Sequence, residues 1–190
     1  MKIVEPAETE ETEDDFVPLI PAFMQKEQKV LQGAARGTAY HKILECLDFT
    51  KADSEEQIRA QLETLLQEHK MTAEEAKSVR VRDLVWFARG RLGQRMKKAY
   101  QNGTLYTEQP FVMAVPASQI REEYPEQEKI LVQGIIDAYF EEDGALVIVD
   151  YKTDWAPDGQ GQLLVERYRK QLWYYREALE RLTGKPVKKM

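Results

Sequence analysis

A chain of 190 residues with 43% hydrophobic content can bury one sizeable core, so it reads as a single domain with or without an extension. No apolar run approaches the ~20 residues that span a bilayer, the N-terminus lacks a secretory signal, and the single cysteine, Cys46, excludes an internal disulfide framework and any four-cysteine metal site, all of which points to the cytoplasm. The net charge of −6 is unevenly spread: residues 1–35 hold three lysines against eight acids, a net of −5, which leaves −1 for the remaining 155.

Residues 1–32 read as an acidic linker or tether, too charged to bury much surface and interrupted by Pro6, Pro18 and Pro21. Regular structure is expected from Gly37-Thr38, where Tyr40, Ile43, Leu44 and Leu47 form a helical apolar stripe with His41 beside it. Ser54-Glu55-Glu56-Gln57 and Thr72-Ala73-Glu74-Glu75 fit the capping box, which predicts helices starting at 55 and 73, the first with Ile58, Leu62, Leu65 and Leu66 on one face. A further helix is expected through Trp86 to Tyr100, ending before Asn102-Gly103. Between positions 80 and 98 seven basic residues, including Arg89, Arg91 and Arg95, face one acid, Asp83. This basic run is either a phosphate-binding surface or a solvated helix face.

The period then changes. Leu105 to Val115, Ile130 to Phe140 and residues 145–152 read as strands, with a polar loop around Tyr124-Pro125. After Pro157 and Gly159 a last helix carries Leu164, Tyr168, Gln171, Leu172, Tyr175, Leu179 and Leu182 at helical spacing and stops at Gly184 and Pro186. A further strand is expected to begin after Pro186-Val187.

The second and third strands carry the chemistry. Asp143-Gly144 suits the positive φ angles of a two-residue hairpin turn. With that turn, paired positions sum to 287, so Asp137 faces Asp150, and Lys152 shares the Asp150 face. Two carboxylates with Cβ atoms about 5 Å apart repel each other unless a cation sits between them, and a divalent metal beside the Lys152 ammonium answers that need. D-x-K alone is weak evidence; the register that aligns all three groups is the specific part.

The segments Gly37-Thr38-Ala39-Tyr40-His41, Glu108-Gln109-Pro110-Phe111, Gly134-Ile135-Ile136-Asp137, Val149-Asp150-Tyr151-Lys152-Thr153 and Tyr168 to Tyr175, in this order, resemble the successive motifs of RecB-type nucleases in the PD-(D/E)xK superfamily. The nearest likeness is to the nuclease domains that close AddA-type helicase–nuclease chains, over roughly residues 30–190. The resemblance implies an α/β fold with a restriction-endonuclease-like core: a central mixed β-sheet flanked by helices, with an N-terminal helical part. It also implies that 33–190 is a nuclease domain excised from a larger helicase–nuclease. On the same basis His41, Asp137, Asp150 and the Tyr151 carbonyl are metal ligands and Lys152 orients or deprotonates the attacking water. Gln171 and Tyr175 form the Q-x-x-x-Y element behind the site, with Tyr168 preceding it. The implied cofactor is Mg²⁺, or Mn²⁺ given one imidazole among hard oxygen donors. The implied partners are DNA, mainly single-stranded, the helicase part of the full-length chain and an AddB-like second subunit, with no membrane.

Alternative readings stay open. Glu108 is a site residue or a rim charge, His69 reads as a surface residue, and Trp155 either packs or stacks on a base. Arg89, Arg91, Arg95 and Tyr168 are candidate DNA contacts. A stand-alone PD-(D/E)xK endonuclease of resolvase or restriction type and an inactive nuclease-fold DNA-binding module are the rivals; a non-haem iron oxygenase would need a second well-placed histidine.

Overall fold

The computed structural model describes residues 31–121, 123–152 and 161–189. Residues 1–30 of the expected 1–32 tether, and Trp155, Pro157 and Gly159, lie outside the described residues, as does the Leu164 side chain, while residues 31 and 32 belong to the first helix. Helices α1 (Leu31–Cys46), α2 (Glu55–Gln67), α3 (Ala73–Ser78), α4 (Val81–Arg89) and α5 (Arg91–Gln101) come first. Strands β1 (Leu105–Pro116), β2 (Lys129–Glu142) and β3 (Ala145–Val149), the long helix α6 (Gly161–Thr183) and β4 (Val187–Lys189) follow. The sheet order is β1-β2-β3-β4, antiparallel between the first three and parallel between β3 and β4, so it is mixed and flanked by helices as the resemblance implied.

Local chemistry sets the helix starts. Ser54 Oγ accepts from the Gln57 amide and Thr72 Oγ1 from the Glu75 amide, which places α2 and α3 at the expected residues. Thr72 and Glu75 complete the capping box, whereas Gln57 reaches one residue further back, to the Asp53 amide. Helix α1 begins at Leu31, six residues before the expected start, and buries Tyr40, Ile43 and Leu44 as the stripe required, with Leu47 buried just past its end.

The single helix expected from Trp86 to Tyr100 is two helices broken at Gly90. That residue has an extended ψ of 165° and opens a tight corner between α4 and α5. Gly93 makes the corner possible: a Cβ there would lie 2.3 Å from the Phe87 carbonyl oxygen and 2.6 Å from the Ala88 Cα. The cause is a tertiary contact, so helical periodicity carries no trace of it.

The hairpin turn is as the sequence demands. Asp143 and Gly144 have φ of 53° and 77°, and the β2–β3 ladder pairs Ala138 with Val149 through Glu142 with Ala145, so positions sum to 287. Strand β3 stops at Val149, three residues short of expectation, and just beyond it the Tyr151 amide and carbonyl bond to the Asp137 and His41 side chains instead of a neighbouring strand. Two cores lie on the two faces of the sheet. Ala138, Phe140, Val147 and Val149 pack with α1 to α5; Ile136, Tyr139, Leu146 and Ile148 pack with Tyr174, Tyr175, Ala178 and Leu179 of α6. Leu182, expected on the packed stripe, is exposed one residue from the helix end.

Between these cores the alternation of β2 breaks. Ile136 belongs to the α6 side and Ala138, two residues on, to the α1–α5 side; in β1 Leu105 lies on the α1–α5 side while Phe111, Met113 and Val115 lie on the other. The irregular residue is Glu108, left-handed with φ 47°, which interrupts the β1–β2 ladder opposite Asp137. Asp137 thus sits where the strand changes face, within reach of side chains from both helical layers.

Candidate metal centre

Three elements converge on the open end of the hairpin. From α1, His41 turns Nε2 to the Tyr151 carbonyl at 2.9 Å and Nδ1 to Asp137 Oδ1 at 3.5 Å. With both nitrogens facing acceptors, and chiefly through the hydrogen bond to Asp137, His41 is held above its ordinary pKa against the opposing effect of burial. To ligate a metal the imidazole must release that proton. From β2, Asp137 is buried at 9% exposure, and its Oδ2 accepts the Tyr151 amide at 2.7 Å. That bond fixes the backbone just past β3 and aims the Tyr151 carbonyl at His41.

Asp150 is the strained member. Its side chain is 6% exposed, and burial pushes its pKa up to about 6 although Lys152 Nζ lies 2.7 Å from Oδ2. Lys152 also sits over the Tyr168 ring, 4.5 Å from its centroid. From α6, Gln171 Nε2 donates to Asp150 Oδ1 at 3.4 Å and to the Tyr175 hydroxyl, and Tyr175 in turn packs edge-on against Phe111. Behind the loop the Tyr151 ring is wedged against Phe87 and Met96, which anchors the D-x-K segment on α4 and α5. Each carboxylate therefore has a nitrogen group of its own beside it: His41 for Asp137, Lys152 for Asp150.

The structure thus brings His41, Asp137, Asp150, Tyr151, Lys152, Gln171, Tyr175 and Tyr168 to one place. Glu108 joins them: ligand atoms of His41, Glu108 and Asp137 all lie within 4.8 Å of one another. The signal for Glu108 was its position opposite Asp137; nothing in the sequence announces its left-handed backbone. His69 stays a surface residue that closes the end of α2, bonding the Gln67 carbonyl. The basic run divides. Arg95 is taken by a bidentate pair with Glu142 at 2.8 Å and lies over Phe140, and Lys97 pairs with Asp53, whereas Arg89 and Arg91 are exposed and make no ion pair among the described residues.

A mixed sheet with a histidine-bearing first helix, two buried aspartates and a lysine at the end of its central hairpin is a nuclease arrangement. Residues 20–190 match the PD-(D/E)XK nuclease superfamily, and the chain belongs to it. Among curated proteins it is 38% identical over 172 residues to the A-type chain of the ATP-dependent helicase/nuclease of Clostridium novyi (strain NT), and 40% over 173 residues to that of Clostridium kluyveri (strain ATCC 8527). The corresponding chain of Clostridium botulinum (strain Langeland) is 38% identical over 188 residues. These alignments cover 88%, 89% and 95% of this chain and 14% of each relative, so the chain spans about a seventh of their length. The AddA-type likeness read from the motifs is the relationship found. Among the described residues no helix is long and apolar enough to cross a membrane.

Proposed function

We propose that this chain is the nuclease domain of a helicase–nuclease, hydrolysing phosphodiester bonds of single-stranded DNA delivered by an attached helicase during double-strand-break processing for homologous recombination. In this reading residues 33–190 are the domain and 1–32 its tether, and the full-length chain works with an AddB-like second subunit. The observation that carries the activity is the meeting of Asp137, Asp150 and Lys152 with His41 and Gln171 at the end of one hairpin.

The residues suit a divalent cation. Two buried carboxylates, one with its pKa pushed up to about 6 by desolvation, are groups whose ionised form a cation would relieve. His41, Asp137, Asp150 and the Tyr151 carbonyl would hold it, with Glu108 in reach of the first two. Hard oxygens with one imidazole match Mg²⁺ or Mn²⁺. Such an ion supplies Lewis acidity toward the phosphate and lowers the pKa of a bound water. The chain's own groups do the rest. Lys152 offers a positive charge to the phosphate and a donor that orients the attacking water, while Gln171 and Tyr175 fix the Asp150 carboxylate.

The deciding experiment measures Mg²⁺- or Mn²⁺-dependent cleavage of end-labelled single-stranded DNA by this chain, Asp150→Ala and Lys152→Ala. Each variant should lose nearly all cleavage while keeping its circular dichroism spectrum. Wild-type rates in either variant refute the site; a wild type that binds the strand without cutting it makes the domain an inactive binding module.

A further inference from the structure

Among the described residues the outward face of α4 is left exposed. Val81, Leu84 and Ala88 point into the core, while Arg82, Trp86 and Arg89, spaced i, i+4 and i+7, share the opposite face. Trp86 is 79% exposed, and no other large apolar side chain among the described residues is as open. With Arg82, Val85, Arg89 and Gly90 it lines an open cleft of about 380 Å³. Arg82 and Arg89 make no ion pair among the described residues. Asp83, the one acid of the stretch, is turned away to the Tyr40 hydroxyl at 3.1 Å and Arg36 at 3.9 Å.

We infer that this face is a track for single-stranded DNA, with a base stacked on Trp86 and the flanking phosphates held by Arg82 and Arg89. The inference rests on the nuclease reading of the metal centre. A polyanion answers guanidinium groups that lack carboxylates, and a flat apolar ring answers an exposed indole; a single strand offers both, whereas a duplex hides its bases. A protein partner would meet here a tryptophan ringed by positive charge that no carboxylate among the described residues offsets. The helix that carries the face also packs against the centre: beside Trp86, the Phe87 ring meets the Tyr151 ring edge-on at 6.0 Å, and the Tyr151 carbonyl faces His41.

The test reads binding separately from cleavage. In an Asp150→Ala background, fluorescein-labelled oligothymidylate of about 20 residues is titrated by anisotropy at several salt concentrations. Trp86→Ala should weaken binding about tenfold or more, Trp86→Phe should restore most of it, and Arg82→Ala with Arg89→Ala should flatten the slope of log affinity against log salt by about 1.4. In chains with Asp150 intact, Trp86→Ala should leave metal-dependent hydrolysis of bis(p-nitrophenyl) phosphate, too small to reach α4, unchanged. Affinity and salt slope that do not respond to any of these substitutions overturn the track and leave α4 as a protein-docking face. A wild type that hydrolyses neither substrate refutes the nuclease reading instead, while the binding series still judges the track.

Discussion

Replacing Asp150 by asparagine should stabilise the metal-free protein, and the size of the gain follows from its surroundings. The side chain is 6% exposed, and its pKa rises from 3.8 to about 6, chiefly through burial. Because the folded value exceeds the unfolded one, the group favours the fold below about pH 3.8 and loses that contribution as pH rises through 6. Above that pH the ionised carboxylate costs the fold roughly 3 kcal/mol. Asparagine keeps the shape and removes the charge, and the attraction of Lys152 is already contained in that figure. The net expectation at pH 7.5 is a variant more stable by about 2–3 kcal/mol, shrinking to about 0.5 kcal/mol at pH 4. The assay is urea unfolding of both proteins in EDTA at the two pH values, repeated at pH 7.5 with Mn²⁺. The wild type should gain from the metal by mass action on the folded state, and the variant should lose most of that gain. A variant less stable than wild type in EDTA at pH 7.5 would show that burial does not strain Asp150, and one equally stabilised by Mn²⁺ that Asp150 is not a ligand.

Two further expectations concern the scaffold. Gly93→Ala should cost about 1–3 kcal/mol or more, because its Cβ would meet backbone rather than movable side chain, and thermal melts should show a fall of several degrees; an unchanged melting temperature would mean the α4–α5 corner is looser than described. Arg95→Ala should cost about 1 kcal/mol at pH 7. Glu142, lowered to about 2 mainly by Arg95, favours the fold above pH 4.5 and loses that contribution as pH falls toward 2, so the difference between the two proteins should close in acid melts; a gap that persists at pH 2 would rule out the ion pair as its source.

What could be read from the sequence was chemistry that acts over a few residues. Asp143-Gly144 specified a turn because few other pairs tolerate two positive φ angles, and the turn fixed the register up to Ala138 and Val149, one pair short of Asp137 and Asp150. Ser54 and Thr72 fixed helix starts through bonds three residues long. The features that escaped depend on distant contacts. The break at Gly90 exists because Gly93 can lie on the backbone of Ala88. The change of face at Asp137 depends on Glu108 taking a left-handed conformation that its residue type does not favour. Lys152 did reach Asp150 as expected, but through an irregular segment after the strand rather than along a pleat. The exposure of Trp86 was hidden for the same reason, since a tryptophan inside an amphipathic stretch reads as core until the neighbouring helices are in place.

The change of face at Asp137 gives the centre a mechanical character. His41 is rooted in the core built by α1 to α5, Gln171 and Tyr175 in the core built with α6, and the aspartates lie on the sheet between them. The site is a seam between two independently packed halves, and an ion bound there would act as a rivet through all three layers. Removing the rivet should let the halves loosen at different temperatures: calorimetry in EDTA should give a broader transition whose van't Hoff enthalpy falls below the calorimetric one, and Mn²⁺ should restore a single cooperative event. Equal enthalpies in both conditions would show that the sheet alone couples the halves. In the coupled case a substitution deep in either core, far from any ligand, can misalign the centre and weaken catalysis while the rest of the molecule stays folded.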